Sequence, residues 1–254
     1  EGQLIAITGV PYGPGGKTTW SYAYSPTYQE PAIMYLTGIN QNNVILLLDP
    51  KSKVSKEILF VDSKDRVLEF WEGVRFGVGD EKSLKEVQSV TGIHDVRDIT
   101  EFKGVLKERF MKQKLKTLGT LWLEGTRKGK VVNITTDHNY DFKKKLERWL
   151  YSWKVPKGAL KNIMKNHFEL RLPLDKYDIA NARNAQDITN GGYKAMLKNF
   201  GSFKNECQVQ GFLEGHMLMN TPFGLSYPSI VASGPNATTL HYTKNDDDFS
   251  KNEM

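Results

Sequence analysis

His241 closes the segment in which residue type and spacing come nearest to chemistry. Tyr227-Pro-Ser-Ile-Val-Ala-Ser-Gly-Pro-Asn-Ala-Thr-Thr-Leu-His-Tyr242 carries an apolar triplet, Ile230-Val231-Ala232, then the turn formers Ser233-Gly-Pro-Asn236, then Leu240 and the imidazole. The pattern predicts a buried strand, a sharp reversal and a return anchored by Leu240, which together deliver His241 from a rigid base. An imidazole titrates near working pH and can donate a hydrogen bond to charge developing on an oxygen.

Other residues offer chemistry on weaker terms. Pro11-Tyr-Gly-Pro-Gly-Gly-Lys17-Thr18 has the glycines and lysine of a phosphate-cradling loop, and Val44-Ile-Leu-Leu-Leu-Asp49 imitates the strand and aspartate that support Mg²⁺ in such sites. Pro11 stands where the loop needs its first glycine. Thr19, Trp20, Tyr22, Tyr24 and Pro26 favour extended structure and a turn where a helix would have to begin. Without that helix a phosphate loses both the dipole and the converging amides, so the run reads as a glycine-rich surface loop. Asp246-Asp247-Asp248 are suitable carboxylates for Mn²⁺ or Mg²⁺, but with no later strand to hold them they read as decoration of a polar segment. His94, His138, His167 and His216 show no i, i+4 ligand spacing. Cys207, the single cysteine, excludes an intramolecular disulfide and a cysteine-rich metal site, and reads as a small buried residue on a helix.

The elements that must position these residues follow from periodicity. Leu4–Val10, Val44–Leu48, Ile58–Val61 and Leu118–Leu123 read as strands. Phe102, Leu106, Phe110 and Leu115 recur at helical spacing, as do Phe142, Leu146, Trp149, Leu150 and Trp153, which predicts two amphipathic helices lying on a sheet. The second ends at Lys154-Val-Pro-Lys-Gly158, because Pro156 disfavours helical geometry before it. A long helical pattern from Leu174 to Phe200 is expected to break at Gly191-Gly192, and Ser202 is placed as the cap of a last helix running to Met219. The fold class is thus α/β, with a domain boundary near residue 168.

With 39% hydrophobic and 25% charged residues the composition is that of a globular chain. The net charge of +6 is spread through amphipathic segments without a nucleic-acid-binding motif, so no nucleic-acid partner is expected. No apolar run approaches the ~20 residues of a membrane span, so no membrane partner is expected and a cytoplasmic location is.

Two stretches resemble the Xaa-Pro aminopeptidases, in the aminopeptidase P, creatinase and prolidase family of pita-bread metallopeptidases. Tyr35-Leu-Thr-Gly38, the strands at Val44 and Ile58, Trp71-Glu-Gly73 and Arg75 follow the order of the family's N-terminal domain; here Trp71 reads as a core anchor. Glu169-Leu-Arg171, Lys176, Asp178-Ile179-Ala180 and Arg183-Asn-Ala185 are similar to its entry helix, although Asp178 stands where a glutamate is usual, and Tyr227–Tyr242 is similar to its first catalytic strand and turn.

The resemblance implies a creatinase-type mixed sheet flanked by helices over residues 1–168, followed over 169–254 by the opening helices and first strand of a pita-bread domain that stops before the metal ligands. It implies removal of the N-terminal residue from short peptides with proline second, homo-oligomers formed through the N-terminal domain, and two divalent ions, with manganese expected, in the complete enzyme. His241 is the substrate-pocket histidine by resemblance; no metal or cofactor ligand is assigned. The chain alone is expected to be inactive. The alternative is a catalytically silent, peptidase-like protein-binding module.

Overall fold

The computed structural model describes residues 3–11, 29–135, 137–221 and 223–250, apart from the side chain of residue 72. Beyond Pro11, the Lys17 loop lies outside the described residues. Two compact units divide them, one up to Arg171 and one from Leu172.

The first unit is built on a six-stranded mixed sheet. Its strands are β1 (Leu4–Thr8), β2 (Ile45–Leu48), β3 (Glu57–Val61), β4 (Asp95–Asp98), β5 (Leu118–Thr120) and β8 (Leu160–Asn162), in the order β4-β3-β2-β1-β5-β8. β2 runs antiparallel to both β1 and β3, while the β3–β4, β1–β5 and β5–β8 pairs are parallel. Alternation sorts the side chains. Leu4, Ala6, Ile45, Leu47, Ile58 and Phe60 face one core, Ile7, Leu46, Leu59 and Val61 the other, so the central strands read as continuous apolar runs because both faces are covered.

α4 (Phe102–Lys112) and α5 (His138–Ser152) cover the first face through Phe102, Leu106, Phe110, Phe142, Leu146 and Leu150. α1 (Pro31–Thr37) and α3 (Glu81–Thr91) cover the second through Ala32, Ile33 and Val87. Gly119 lets the layers close: a Cβ there would stand 3.0 Å from Ile163 and 3.1 Å from Ile5. Asp49, the aspartate after the apolar run, is buried and accepts from Arg109 Nη1 of α4 and from Nε2 of Gln113, the residue that caps it, each at 2.8 Å. It serves as a strut between sheet and helix.

Three further elements complete this unit. α2 (Arg66–Glu72) carries Trp71, which is 78% exposed with its ring edge-on to Phe70, not in the core. β6 (Glu124–Arg127) and β7 (Lys130–Asn133) form an exposed hairpin turned by Lys128 and Gly129, both at positive φ. α6 (Met164–Arg171) closes the unit. Buried at the start of α5, His138 lies 3.0 Å from Glu30 and 3.1 Å from Asp137, at angles that miss hydrogen-bond alignment.

The second unit pairs α7 (Lys176–Asn199) with α8 (Glu206–Asn220). A capping box at Asp175 and Asp178 starts α7. The helix continues through Gly191 and Gly192, where a break was expected. The pair is a seat: a Cβ would meet the His216 ring at 3.2 Å from Gly191 and 3.3 Å from Gly192. Ser202 does not cap α8, because its Oγ donates back to Asn199 O at 2.7 Å within a 3-10 turn; Asn205 caps instead, accepting from Gln208 N–H. Met196, Val209 and Leu213 form this unit's core, with Phe203, Phe212, Val231 and Phe249 packed on it.

Candidate functional site

The Tyr227–Tyr242 segment is held by the first turn of α8. Asn205 pairs in an antiparallel bridge with Asp248, Glu206 N–H donates to Asp247 O at 3.0 Å, and Phe249 N–H donates to Lys204 O at 2.8 Å. The chain beyond His241 therefore returns along the entrance of the helix. A polar backbone laid there needs acceptors for its own N–H groups, and two buried side chains supply them.

Glu206 is the first. Its side chain is fully buried, and its carboxylate accepts from Ser233 N–H at 2.7 Å, Ser233 Oγ at 3.0 Å, Asn236 Nδ2 at 3.3 Å, Tyr242 OH at 2.7 Å and Asp247 N–H at 3.2 Å. Burial alone would raise its pKa, but the hydrogen bonds from Tyr242, Ser233 and Asp247 outweigh burial and hold the carboxyl at about 2. The same contact works in reverse on Tyr242: desolvation and the Glu206 carboxylate push its phenol up to about 12.

Asn245 is the second. It sits in the left-handed region at φ 50, which asparagine tolerates better than most side chains. Its Oδ1 accepts from Val231 N–H at 2.9 Å, and its Nδ2 donates to Gln210 Oε1 at 3.0 Å and to Ser229 O at 2.9 Å. Between the two anchors Gly234, at φ 48, opens a 3-10 turn over Gly234–Thr238.

The reversal predicted at Ser233–Asn236 is present, but two neighbouring expectations are not. Ile230-Val231-Ala232 lies outside any strand, with Ile230 43% exposed. These residues have no strand to pair with among the described residues and are tied instead by the Asn245 side chain. Leu240 is 89% exposed, so it anchors nothing; Tyr242 does that work through its hydroxyl. His241 follows directly on the turn and is exposed. The backbone is fixed one residue later, where the Tyr242 hydroxyl donates to Glu206.

The other candidates do not gather around it. Asp246 pairs with Lys244 at 3.0 Å, Asp247 accepts from Asn236 Nδ2 at 2.6 Å, and Asp248 belongs to the backbone bridge. Among the described residues no three of His, Cys, Asp or Glu converge to hold a metal ion, so these side chains do not fit such a centre. Cys207 is exposed, contrary to its reading as a buried residue, because it follows Glu206 onto the outer side of the first turn of α8. His216 fills the Gly191–Gly192 seat and His167 is buried with its ring 6.3 Å from that of Tyr35. Glu206 and Asn245 were missed in the sequence, where the only signals were an acidic residue in a first helical turn and an asparagine in a polar tail. No described helix is long and apolar enough to cross a membrane.

Comparison with known proteins finds a match in each unit. Residues 14–118 match the aminopeptidase P N-terminal domain and residues 180–254 match metallopeptidase family M24. A probable Xaa-Pro aminopeptidase PEPP from Fusarium vanettenii is 26% identical over 223 residues, covering 88% of this chain and 41% of the relative. The Xaa-Pro aminopeptidase of Haemophilus influenzae is 28% identical over 221 residues, covering 87% and 45%. The chain thus spans less than half the length of these two relatives. Among solved structures, Icp55 from Saccharomyces cerevisiae superposes with a TM-score of 0.71 at 21% identity, covering 99% of this chain and 51% of that one, which establishes the pita-bread aminopeptidase P fold for this part. The chain is thus similar to Xaa-Pro aminopeptidases, matching first an aminopeptidase P N-terminal domain and then metallopeptidase family M24.

Proposed function

We propose that the chain is the N-terminal part of a cytoplasmic, metal-dependent Xaa-Pro aminopeptidase that removes the first residue of short peptides with proline in second position. One observation carries this reading: aminopeptidase P and M24 sequence succeed each other in one chain, and the second supplies an exposed histidine on a turn pinned by Glu206 and Asn245. Residues 1–168 form the N-terminal domain, through which copies associate and narrow the approach to short peptides. Residues 169–254 open the catalytic domain.

The contribution of these residues is position. His241 donates a hydrogen bond to the scissile carbonyl oxygen as charge develops there, and the Glu206 network keeps the imidazole where that charge appears. Two divalent ions, manganese first among the candidates, belong to the complete enzyme. The described carboxylates and imidazoles do not form their ligand set.

Residues 1–254 alone are expected to release nothing from an Xaa-Pro peptide with manganese present, whereas the full-length gene product is expected to do so. In that product His241→Ala should lower kcat/KM by roughly 10²–10³, the scale of losing one donor to a developing oxyanion, with Tm unchanged. Turnover by the 254-residue chain, or undiminished activity of H241A, contradicts the reading. A full-length product that binds protein partners without turnover would instead mark a catalytically silent peptidase-like module.

A further inference from the structure

On the first unit, α5 and the segment that follows it enclose a groove of about 560 Å³. Lys143, Glu147 and Tyr151 lie on one helix face at successive i+4 steps, with Lys144 and Arg148 beside them. Facing them, the chain turns back through Lys154 and Gly158, both at positive φ, and enters β8 at Leu160. The floor is apolar and buried: Trp122, Leu150 and Ala159 are each under a tenth exposed. Val155 and Pro156 form the outer wall.

The charge at this groove is one-sided. Lys143, Lys144, Arg148 and Lys157 line it, against Glu147 as the one lining carboxylate. Lys143 is fixed in the wall, with Nζ 5.0 Å from the Trp122 ring centre, 5.3 Å from that of Tyr140 and 3.0 Å from Glu147. Lys144 shares the same carboxylate at 3.2 Å. Arg148 and Lys157 are exposed and make no ion pair among the described residues. A buried aromatic and aliphatic floor under a rim in which four cations face one carboxylate matches a molecule with the opposite arrangement. The volume lies within the ~300–1,000 Å³ of small-ligand sites.

We propose that this groove binds a small amphiphilic carboxylate, with its aromatic or branched aliphatic body on Trp122, Leu150 and Val155 and its acid group at Lys144, Arg148 and Lys157. The site is independent of the peptidase reading, since it uses no residue of the second unit.

The test uses the whole 254-residue chain and 8-anilinonaphthalene-1-sulfonate as a fluorescent probe. One saturable site is expected, displaced by 4-phenylbutyrate, with the uncharged 4-phenylbutanol roughly tenfold weaker or worse. A charge-assisted contact is worth about that factor. K144E/R148E should weaken the probe by roughly tenfold or more, and K157E, in the facing segment, should do so independently if the double variant fails to fold. K107E/K112E on α4 controls for net charge and should change binding by less than about threefold. Absence of saturable binding, equal displacement by the alcohol, or binding that survives both groove variants overturns the proposal. Adventitious adsorption to the exposed Phe70–Trp71 pair would give the last of these results.

Discussion

Replacing Glu206 by alanine is expected to release the Tyr227–Tyr242 segment while α7 and α8 stay folded. Of the donors that converge on the carboxylate, Ser233 Oγ, Asn236 Nδ2 and Tyr242 OH belong to partly exposed residues and can turn to water. The backbone N–H groups of Ser233 and Asp247 cannot turn. A donor left without its acceptor costs about 1–3 kcal/mol when buried, and these two bonds are part-buried, so the pair costs about 2–4. Relief from burying a carboxylate offsets part of this, leaving about 2 kcal/mol. Local opening should therefore become easier by roughly thirtyfold. Hydrogen exchange read by mass spectrometry over residues 229–248 would show the amides of Ser233 and Asp247 losing protection by that factor, with far-UV circular dichroism unchanged. A loss below about threefold would refute the assignment of Glu206 as the anchor. Glu206→Gln keeps one acceptor oxygen and should fall between. The pH dependence has a definite sign: because the folded pKa lies at about 2, below the ordinary 4.5, the stabilisation is complete above 4.5 and lost as pH falls toward 2. E206Q should show no such fall.

Asn245→Asp keeps the acceptor for Val231 N–H but loses both donors, to Gln210 and Ser229, and should destabilise the second unit by about 2 kcal/mol; unchanged exchange at residues 229–231 would contradict this. Gly119→Val places its Cβ against Ile163 and Ile5 and should cost about 1–3 kcal/mol in urea denaturation followed by tryptophan fluorescence, since every described tryptophan lies in the first unit. His138 is desolvated, which lowers its pKa, but Asp137 and Glu30 outweigh that and push it up to about 9 from 6.5. Its contribution, at most about 3 kcal/mol, is present below pH 6.5 and lost as pH rises through 9. His138→Gln should flatten the alkaline loss of first-unit stability, and a wild-type chain equally stable at pH 6 and pH 9.5 would refute the buried ion cluster.

The sheet was legible in the sequence because its central strands are covered on both faces. Leu4–Thr8, Ile45–Leu48 and Glu57–Val61 announce themselves as apolar runs, and the inner stripes of α4 and α5 as helical periodicity. The edges were not legible: β4 reads Asp-Val-Arg-Asp and β8 Leu-Lys-Asn, with no apolar excess to mark them. Glycine misled at 191–192, where local propensity argued for a break and packing against His216 decided for a helix. The candidate site was half legible. The turn and its histidine follow from local residue types, whereas Glu206 and Asn245 act across 27 and 14 positions of chain, a distance that no local pattern encodes.

The outer strands of the first unit bear on how copies of it can meet. β4 is an edge four residues long, and Arg97 lies along it in a two-pronged pair with Asp95, at 2.7 and 2.9 Å. β8, at the opposite edge, spans three residues and carries Lys161. Short, charged edges are poor templates for a further strand. The sheet therefore does not lend itself to growth from one molecule into the next, and when it is over-expressed or partly unfolded, ordered stacking through these borders is disfavoured. If copies associate, the contact is expected at helix faces, loops or the separate β6–β7 hairpin instead of these edges.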